Sequence, residues 1–182
     1  CGVVKDGWNG FNVLHMAASR VGALDAGFVP GKNGRDMQGI IHGINRGDIE
    51  VVYLLGADEI DMGYMGEAFV IYQGHHGDAG ATRADIILPG AAYTEQPGIF
   101  VNTEGRAQYA IQANDPPGEA KEDWKIFRAI SGAMNKALPY DTLEQLRKRI
   151  QKLGGPFTQV GARVEATWTK AEKTSGFSLE DE

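Results

Sequence analysis

Three short apolar runs constrain the fold of this chain more than any other feature of its sequence. They read IEVVYLL at 49–55, AFVIY at 68–72 and ADIIL at 84–88. The first is β-branched and nearly continuous in hydrophobicity, which is typical of a strand that a parallel sheet buries on both faces. Gly56 follows the first run and Pro89 ends the third. Because helical or Gly-rich connections separate the runs, they predict an α/β domain with a parallel sheet.

Apolar residues at helical spacing predict four helices around these strands. The first covers 9–25, and the second follows Asp36, which can cap it. The third begins at Glu119 with an acidic first turn, and the fourth opens at Asp141, with Glu144 three residues later as in a capping box. Before the third helix, the runs IFVN and AQYAI flank the turn TEGR, which indicates a small hairpin or an irregular excursion.

Composition excludes several classes of protein. At 182 residues the chain has room for one ordinary domain, since domains commonly run ~100–200 residues. The formal net charge of −6 argues against nucleic acid as a partner, because phosphate binding needs a clustered basic surface. No window holds the ~18 consecutive apolar residues of a membrane-spanning helix, so we expect no direct insertion into a membrane.

Cys1 is the single cysteine of the sequence. It can form no internal disulfide, and it cannot hold an iron–sulfur cluster within this chain alone, because such clusters normally take four ligands of the Cys type. Nothing nearby in the sequence offers a base that would activate its thiol as a nucleophile. Because the sequence starts at Cys1 and not at Met, we expect it to be a fragment of a longer polypeptide.

The run from Tyr72 to Gln108 carries the strongest family signal. Its segment ADIILPGAAYTEQPGIFVNTEGRAQ resembles the signature of the molybdopterin-oxidoreductase superfamily. The overlapping segment QGHHGDAGATRADIILPGAAYTE resembles the large iron–sulfur subunit of NADH–quinone oxidoreductase, respiratory complex I. Two later segments, PPGEAKEDWKIFRAISG and LPYDTLEQLRKRI, are similar to the same subunit in order and spacing. The resemblance covers roughly Gly7 to Gly154.

The resemblance implies a Rossmann-like three-layer α/β domain over 1–156, a portion of the molybdopterin-oxidoreductase-like fold, followed by a polar C-terminal tail over 157–182. It implies a non-catalytic, structural portion of a subunit whose [4Fe–4S] and [2Fe–2S] clusters lie outside this segment. The parent assembly would pass electrons from NADH through those clusters to quinone and couple the transfer to proton translocation. Other peripheral-arm subunits would be its partners, on the matrix side of the mitochondrial inner membrane or the cytoplasmic side of a bacterial inner membrane.

Two other interpretations stay open. The signature run also fits a segment of an active molybdopterin-dependent oxidoreductase such as a formate dehydrogenase, whose molybdenum ligand would have to lie upstream of Cys1. Without the family resemblance, the α/β pattern fits a small nucleotide-binding module, although the phosphate fingerprint GxGxxG is absent.

Candidate ligand-binding residues follow the predicted strands. Asp58 comes just after the first strand, at the edge where open α/β sheets place their ligands, and it is the one candidate for cofactor contact that the superfamily resemblance implies. A carboxylate is a poor neighbour for pyrophosphate, which argues against this role. The pair His75–His76 with Asp78 invites a metal, but a set of four ligands is not visible. We therefore predict a tight turn held by imidazole hydrogen bonds, with no metal.

The charged residues of the signature run are Glu95, Glu104 and Arg106. No nucleophile or oxyanion donor can be assigned around them, so no catalytic residue is predicted. Arg106 offers five donors that can tie a carboxylate and nearby loop carbonyls together. We therefore predict that these three residues clamp an irregular loop by ion pairing.

Overall fold

The computed structural model describes residues 2–163. Its strands and helices are, in chain order, β1 (Val4–Lys5), β2 (Trp8–Asn9), α1 (Arg20–Asp25), α2 (Met37–Asn45), β3 (Val51–Leu55), β4 (Phe69–Gly74), α3 (Ala79–Arg83), β5 (Ile86–Pro89), β6 (Gly98–Val101), β7 (Ala107–Ala110), α4 (Asp123–Ala133) and α5 (Leu143–Gln151). Two 3₁₀ helices lie at Met62–Met65 and Gly155–Gln159. Within this described range, none of the helices has the length and apolar character needed to cross a bilayer. The expectations for Cys1 and for most of the tail lie outside the described residues.

Three parallel strands form the central sheet, in the order β3–β4–β5. Each begins slightly later than its apolar run in the sequence. The register pairs Tyr53 with Ile71 and Ile71 with Ile86, so these three side chains share one face of the sheet. The prediction of an α/β domain with a parallel sheet is confirmed.

One face of the sheet carries the main core. Leu54, Val70 and Tyr72 are buried there, in one cluster with Ile44 of α2 and with Met65 of the first 3₁₀ helix. The short helix α3 lies on the same face and very close to β4, because a Cβ added at Gly80 would come within 2.7 Å of the Tyr72 ring. Only glycine fits at this point of contact.

The opposite face is partly covered by α4. The ring of Phe127 stacks on Tyr53, with the centroids 5.3 Å apart. The sheet therefore has helices on both sides, as expected for a three-layer domain. Val51 and Leu55 remain about half exposed on this face, so β3 is not buried on both faces as its sequence indicated. The reason is that α4 covers only part of this face, since Phe69 of the central strand β4 is also 43% exposed there.

The predicted first helix over 9–25 is wrong in its first part. β1 and β2 pair as a short antiparallel ladder, and only α1 is helical. Phe11 and Leu14, which were expected on a buried stripe, are 62% and 85% exposed. An amphipathic helix draws most of its stability from packing its apolar face. Among residues 2–163 nothing buries these two side chains.

The N-terminal cap of α2 agrees with the sequence prediction, and that of α5 differs from it. Asp36 caps α2 as predicted, with its carboxylate accepting a backbone N–H of the first turn at 2.8 Å. The cap of α5 is Thr142, whose hydroxyl accepts from the backbone N–H of Gln145 at 3.2 Å. Asp141, the predicted cap, instead forms an ion pair with Arg128 at 2.7 Å. The cap of α5 is therefore Thr142, one residue later than predicted, and the Asp141 carboxylate binds Arg128, which lies thirteen residues earlier in the sequence.

A second, smaller core lies beside the antiparallel pair of β6 and β7, which confirms a hairpin at this point. Val101, Ala107 and Phe157 are buried in it, and Ile150 of α5 packs against them. Phe157 belongs to the segment that the sequence assigns to the tail. The boundary between 156 and 157 stays a prediction, because most of that segment lies beyond the described residues.

Candidate functional site

The carboxyl ends of β3, β4 and β5 meet at one edge of the sheet, where open α/β sheets place their ligands. A cleft of about 480 Å³ opens at this edge, within the range of ~300–1,000 Å³ usual for small-molecule sites. Its walls include Gly74 and Gly90 together with the side chains of His75, His76 and Glu95. The chemistry of the edge depends on which of its polar groups remain free.

A chain of hydrogen bonds joins β3, β4, α4 and the loop after β5 next to this cleft. Gln73 is fully buried; its side-chain carbonyl accepts from the Tyr53 hydroxyl, and its amide donates to a carboxylate oxygen of Asp123 at 2.7 Å. The other oxygen of Asp123 accepts from the Gln96 amide at 2.9 Å. The side-chain carbonyl of Gln96 in turn accepts from the backbone N–H of Asp123 at 3.0 Å.

Each member of this chain of hydrogen bonds has a partner within it. Burial and the nearby Asp123 carboxylate raise the pKa of Tyr53, so its hydroxyl keeps its proton and remains a donor at neutral pH. A fully satisfied buried network fixes the relative positions of the elements that it joins. The arrangement holds the sheet edge together and offers no free acid or base.

A second polar contact lies at the start of α3. The Tyr72 hydroxyl donates to one carboxylate oxygen of Asp78, and the other accepts from the backbone N–H of Ala81 at 3.0 Å. The Tyr72 contact holds the pKa of Asp78 below its usual range, and burial together with the Asp78 charge raises the pKa of Tyr72. Asp78 is therefore occupied as the cap of α3.

The residues considered for metal or cofactor contact lie on the exposed side of this edge. Asp58 is exposed and contributes negative charge near Tyr72, and its cofactor role stays a prediction. His75 and His76 are exposed, with their ring centroids 4.4 Å apart in an edge-on arrangement. No group of three or more His, Cys, Asp or Glu side chains suited to a metal ion occurs within residues 2–163.

The three residues of the predicted loop clamp lie at two different places. Glu95 accepts from the backbone N–H of Ala92 at 2.9 Å and lines the cleft at the sheet edge. Glu104 and Arg106 lie in the turn between β6 and β7, beside a separate groove. In the described part of the chain, no ion pair joins Arg106 to Glu95 or Glu104. Their role as a clamp stays a prediction.

Asn102 forms the contacts that hold this turn. Its side-chain oxygen accepts from the backbone N–H groups of Glu104 at 3.0 Å and Arg106 at 2.9 Å. Gly105 has a φ of 82°, a left-handed conformation that favours glycine. The sequence NTEGR therefore folds as an Asn-stabilised turn in which the backbone of Arg106 takes part.

A guanidinium that the sequence reasoning missed ties a different loop. Arg83, at the end of α3, donates to the carbonyls of Gly66 and Ala68, both at 2.9 Å, and forms an ion pair with Asp85 at 3.3 Å. Asp85 also accepts from the backbone N–H of Val70 at 2.7 Å, and this bond is the main reason that its pKa is lowered. These contacts fix the entrance to β4. The sequence feature that could have predicted this contact is the pair of Arg83 and Asp85 immediately before the apolar strand.

The parallel sheet, with α2 and α3 on one face and α4 on part of the other, defines an α/β domain. The model of the molybdopterin oxidoreductase family matches residues 1–133. The chain belongs to that family.

The proteins to which the chain is similar include subunits of NADH-ubiquinone and NADH-quinone oxidoreductases. The chain is 48% identical over 157 residues to the NADH-ubiquinone oxidoreductase 75 kDa subunit of Reclinomonas americana, covering 85% of this chain and 22% of that protein. It is 50% identical over 147 residues to the mitochondrial NADH-ubiquinone oxidoreductase 78 kDa subunit of Candida albicans, covering 80% and 19%. It is 41% identical over 178 residues to an NADH-quinone oxidoreductase subunit of Rickettsia bellii, covering 98% and 24%. The chain thus spans about a fifth to a quarter of the length of these relatives.

The polar groups at the sheet edge do not fit the pterin dinucleotide that the family name implies. No buried side-chain nitrogen or oxygen among the described residues lacks a hydrogen-bond partner. The cleft is lined by the carboxylate of Glu95 and the imidazoles of His75 and His76, and by no Arg or Lys. A carboxylate repels a pyrophosphate, and we assign no chemical step to such a cofactor in this chain.

Proposed function

We propose that this chain is a structural portion of the large iron–sulfur subunit of respiratory complex I, with no redox centre and no catalytic residue of its own. The parent assembly would pass electrons from NADH through iron–sulfur clusters to quinone and couple this transfer to proton translocation. The clusters, of the [4Fe–4S] and [2Fe–2S] types, would be held by parts of the subunit outside these residues. The role of this segment is to supply a folded α/β body that supports the cluster-bearing part.

The observation that carries the proposal is the identity of 41–50% to NADH-quinone and NADH-ubiquinone oxidoreductase subunits across 80–98% of the chain. The geometry of the sheet edge supports it. At the edge where a cofactor-binding sheet would present free polar groups, hydrogen bonds join the side chains of Gln73, Asp123 and Gln96 to one another. The alternative is a segment of an active molybdopterin-dependent enzyme such as a formate dehydrogenase. It has weaker support, because these relatives are subunits of NADH oxidoreductases.

On this proposal the partners are other peripheral-arm subunits of complex I. The segment would lie on the matrix side of the mitochondrial inner membrane or on the cytoplasmic side of a bacterial inner membrane. Nucleic acid is not among the proposed partners, in keeping with the net charge of −6.

An antibody against this segment tests the proposal on a native gel of mildly solubilised membranes from the source cells. We expect one band in a large assembly that coincides with an NADH-dehydrogenase activity stain. A smaller band without NADH activity would contradict the assignment. Stoichiometric molybdenum in that smaller species would support the molybdopterin-dependent enzyme instead.

A substitution within the parent subunit separates a structural role from a catalytic one. Gln73→Leu breaks the buried network; we expect less assembled complex but an unchanged NADH–quinone activity for each assembled complex. Reduced activity per assembled complex would mean that the segment takes part in the chemistry. Gln112→Leu is the matched control, because Gln112 is exposed and bonds only to the nearby Asn114 and Asp115 in the described residues.

A further inference from the structure

An apolar groove runs between α1 and α5, beside the second core. Its volume is about 390 Å³, within the range of ~300–1,000 Å³ usual for binding sites. Small side chains of α1, among them Ala23 and Ala26, form one wall, and Leu146 and Ile150 of α5 form the other. Phe157 of the second core also lines it. The groove therefore has the size and the lining to take an apolar side chain.

A run of cations on α5 and just after it borders this groove. Arg147 lines the groove, and its guanidinium lies 4.8 Å from the centroid of the Tyr109 ring. Arg149 and Lys152 are exposed. Of the four cations Arg147, Lys148, Arg149 and Lys152, which we call the cationic rim, only Lys148 forms an ion pair with a described carboxylate, at 2.7 Å. The cationic rim therefore offers unpaired positive charge next to an apolar groove, in a chain whose net charge is −6.

The last described residues lie beside the cationic rim. The backbone N–H of Gly161 donates to the carbonyl of Ala107 on β7 at 2.9 Å. A Cβ added at Gly161 would lie 3.9 Å from the ring of Tyr109, which is the ring that Arg147 contacts. The chain that follows Arg163 therefore starts close to the groove.

We propose that the segment 177–182 of this chain, which reads FSLEDE, binds to this groove. Phe177 and Leu179 enter the groove, and the three consecutive carboxylates of residues 180–182 bind to the cationic rim. Residues 164–176 connect this segment to the described chain, and at ~3.3 Å for each extended residue they reach well beyond the length of α5. This proposal concerns the chain itself and does not depend on the proposed function.

Charge and connectivity favour this occupant over a separate protein. A segment tethered by a short flexible linker is present at an effective concentration of order mM, without any cost of finding a partner. Exposed ion pairs contribute little energy, so the apolar contacts hold the segment and the charges set its direction. Asp123 also lines the groove, but its carboxylate oxygens accept from Gln73 and Gln96. The carboxylates of the segment bind outside the groove, on the cationic rim.

Photocrosslinking in the complete natural polypeptide tests the proposal. A photoreactive benzoylphenylalanine replaces Phe177, and the crosslinked peptides are identified by mass spectrometry after irradiation. We expect crosslinks to α1 or α5 within the same polypeptide. Crosslinks confined to other parts of the polypeptide, or none, would overturn the proposal. A mixture of isotopically labelled and unlabelled protein identifies crosslinks between two copies, which would assign the groove to a second copy instead.

Charge reversal tests the role of the cationic rim. Arg149→Glu combined with Lys152→Glu should lower the crosslinking yield at least about 5-fold, because like charges then face each other. Adding Glu180→Lys and Asp181→Lys to this variant should restore the yield. Lys136→Glu is the matched control, because Lys136 is exposed and does not line the groove. A yield that follows none of these changes would overturn the assignment of the carboxylates to the cationic rim, and circular dichroism checks that each variant is folded.

Discussion

A single substitution of Arg83 tests the hydrogen bonds that its guanidinium donates. It donates to two carbonyls, those of Gly66 and Ala68, in the connection that enters β4. Arg83→Ala leaves both without this donor, so we expect a loss of about 1–3 kcal/mol in the free energy of unfolding. Arg83→Lys should restore only part of it, because an ammonium cannot reproduce the planar fork of donors. Urea unfolding of the three proteins measures the difference.

Arg106→Ala is the matched comparison, because it tests the clamp predicted from the sequence. Arg106 takes part in its turn through its backbone N–H, and truncation of the side chain leaves that bond in place. We expect its cost to be within about 0.5 kcal/mol, as for ordinary surface substitutions. A cost equal to that of Arg83→Ala would instead support ion pairing of Arg106 with Glu95 or Glu104.

The carboxyl of Asp78 should set part of the acid dependence of stability. Its pKa in the folded chain lies below the ordinary 3.8, chiefly because the Tyr72 hydroxyl donates to it. A carboxyl of this kind contributes stability that is fully present above its unfolded pKa and is lost as the pH falls through its folded pKa. Asp78→Asn can still cap α3, and we expect this part of the acid dependence to disappear. Urea midpoints between about pH 5 and pH 2.5 measure it.

Tyr72→Phe provides the control for the acid dependence. It removes the donor and leaves the Asp78 carboxyl in place, so it should flatten the same part of the profile. If the unsubstituted chain and both variants lose stability in parallel as the pH falls, the contact between Tyr72 and Asp78 does not lower the pKa of that carboxyl.

At the scale of elements, the buried network around Gln73 should decide how firmly α4 is attached to the sheet. Gln73→Leu keeps a similar volume but leaves the Tyr53 hydroxyl and one Asp123 oxygen without their partner. An unsatisfied group costs ~1–3 kcal/mol when it is fully buried. Tyr53 and Asp123 are only partly buried, so we expect a loss near the lower end of that range in the free energy of unfolding. Hydrogen exchange should show the loss of protection in α4 as well as in β4.

Gln73→Glu distinguishes loss of hydrogen bonding from loss of packing. It places a second carboxylate beside Asp123, so it should be more destabilising than Gln73→Leu at neutral pH and should recover as the pH falls and one carboxyl takes up a proton. Gln112→Leu should change neither stability nor exchange. Equal costs for Gln73→Leu and Gln112→Leu would mean that the network contributes nothing to the attachment of α4.

The elements that the sequence predicted correctly are those whose causes are local. The three strands follow from β-branched apolar runs, and the cap at Asp36 follows from a contact three residues away. The hydrogen-bond network around Gln73 could not be predicted from local sequence. Gln73 and Asp123 are fifty residues apart in the chain and meet only after the sheet and α4 pack together. The prediction of a helix over 9–25 was wrong in its first part, because the apolar spacing that suggests a helix also needs a surface to pack against. The described residues supply no such surface for Phe11 and Leu14.

At the scale of the whole molecule, the described residues form two separate hydrophobic cores. One lies under the parallel sheet around Val70, and the other lies beside the hairpin around Phe157. The bonds between Gln73, Asp123 and Gln96, together with the pairing of Gly90 with Lys121, connect the sheet to the second half of the chain. Units with separate cores can open at different free energies even when hydrogen bonds connect them.

Phe157→Ala should therefore affect one core and leave the other intact. Truncation of a buried Phe costs about 3–5 kcal/mol, which is enough to unfold a small unit whose buried residues are Val101, Ala107 and Phe157 itself. Native-state hydrogen exchange should show that β6, β7 and α5 lose protection while β3, β4 and β5 keep theirs. Val70→Ala is the reciprocal variant and should lower the protection of the sheet first. Simultaneous loss in both units for either variant would show that the chain unfolds as one cooperative body in which the two cores are coupled.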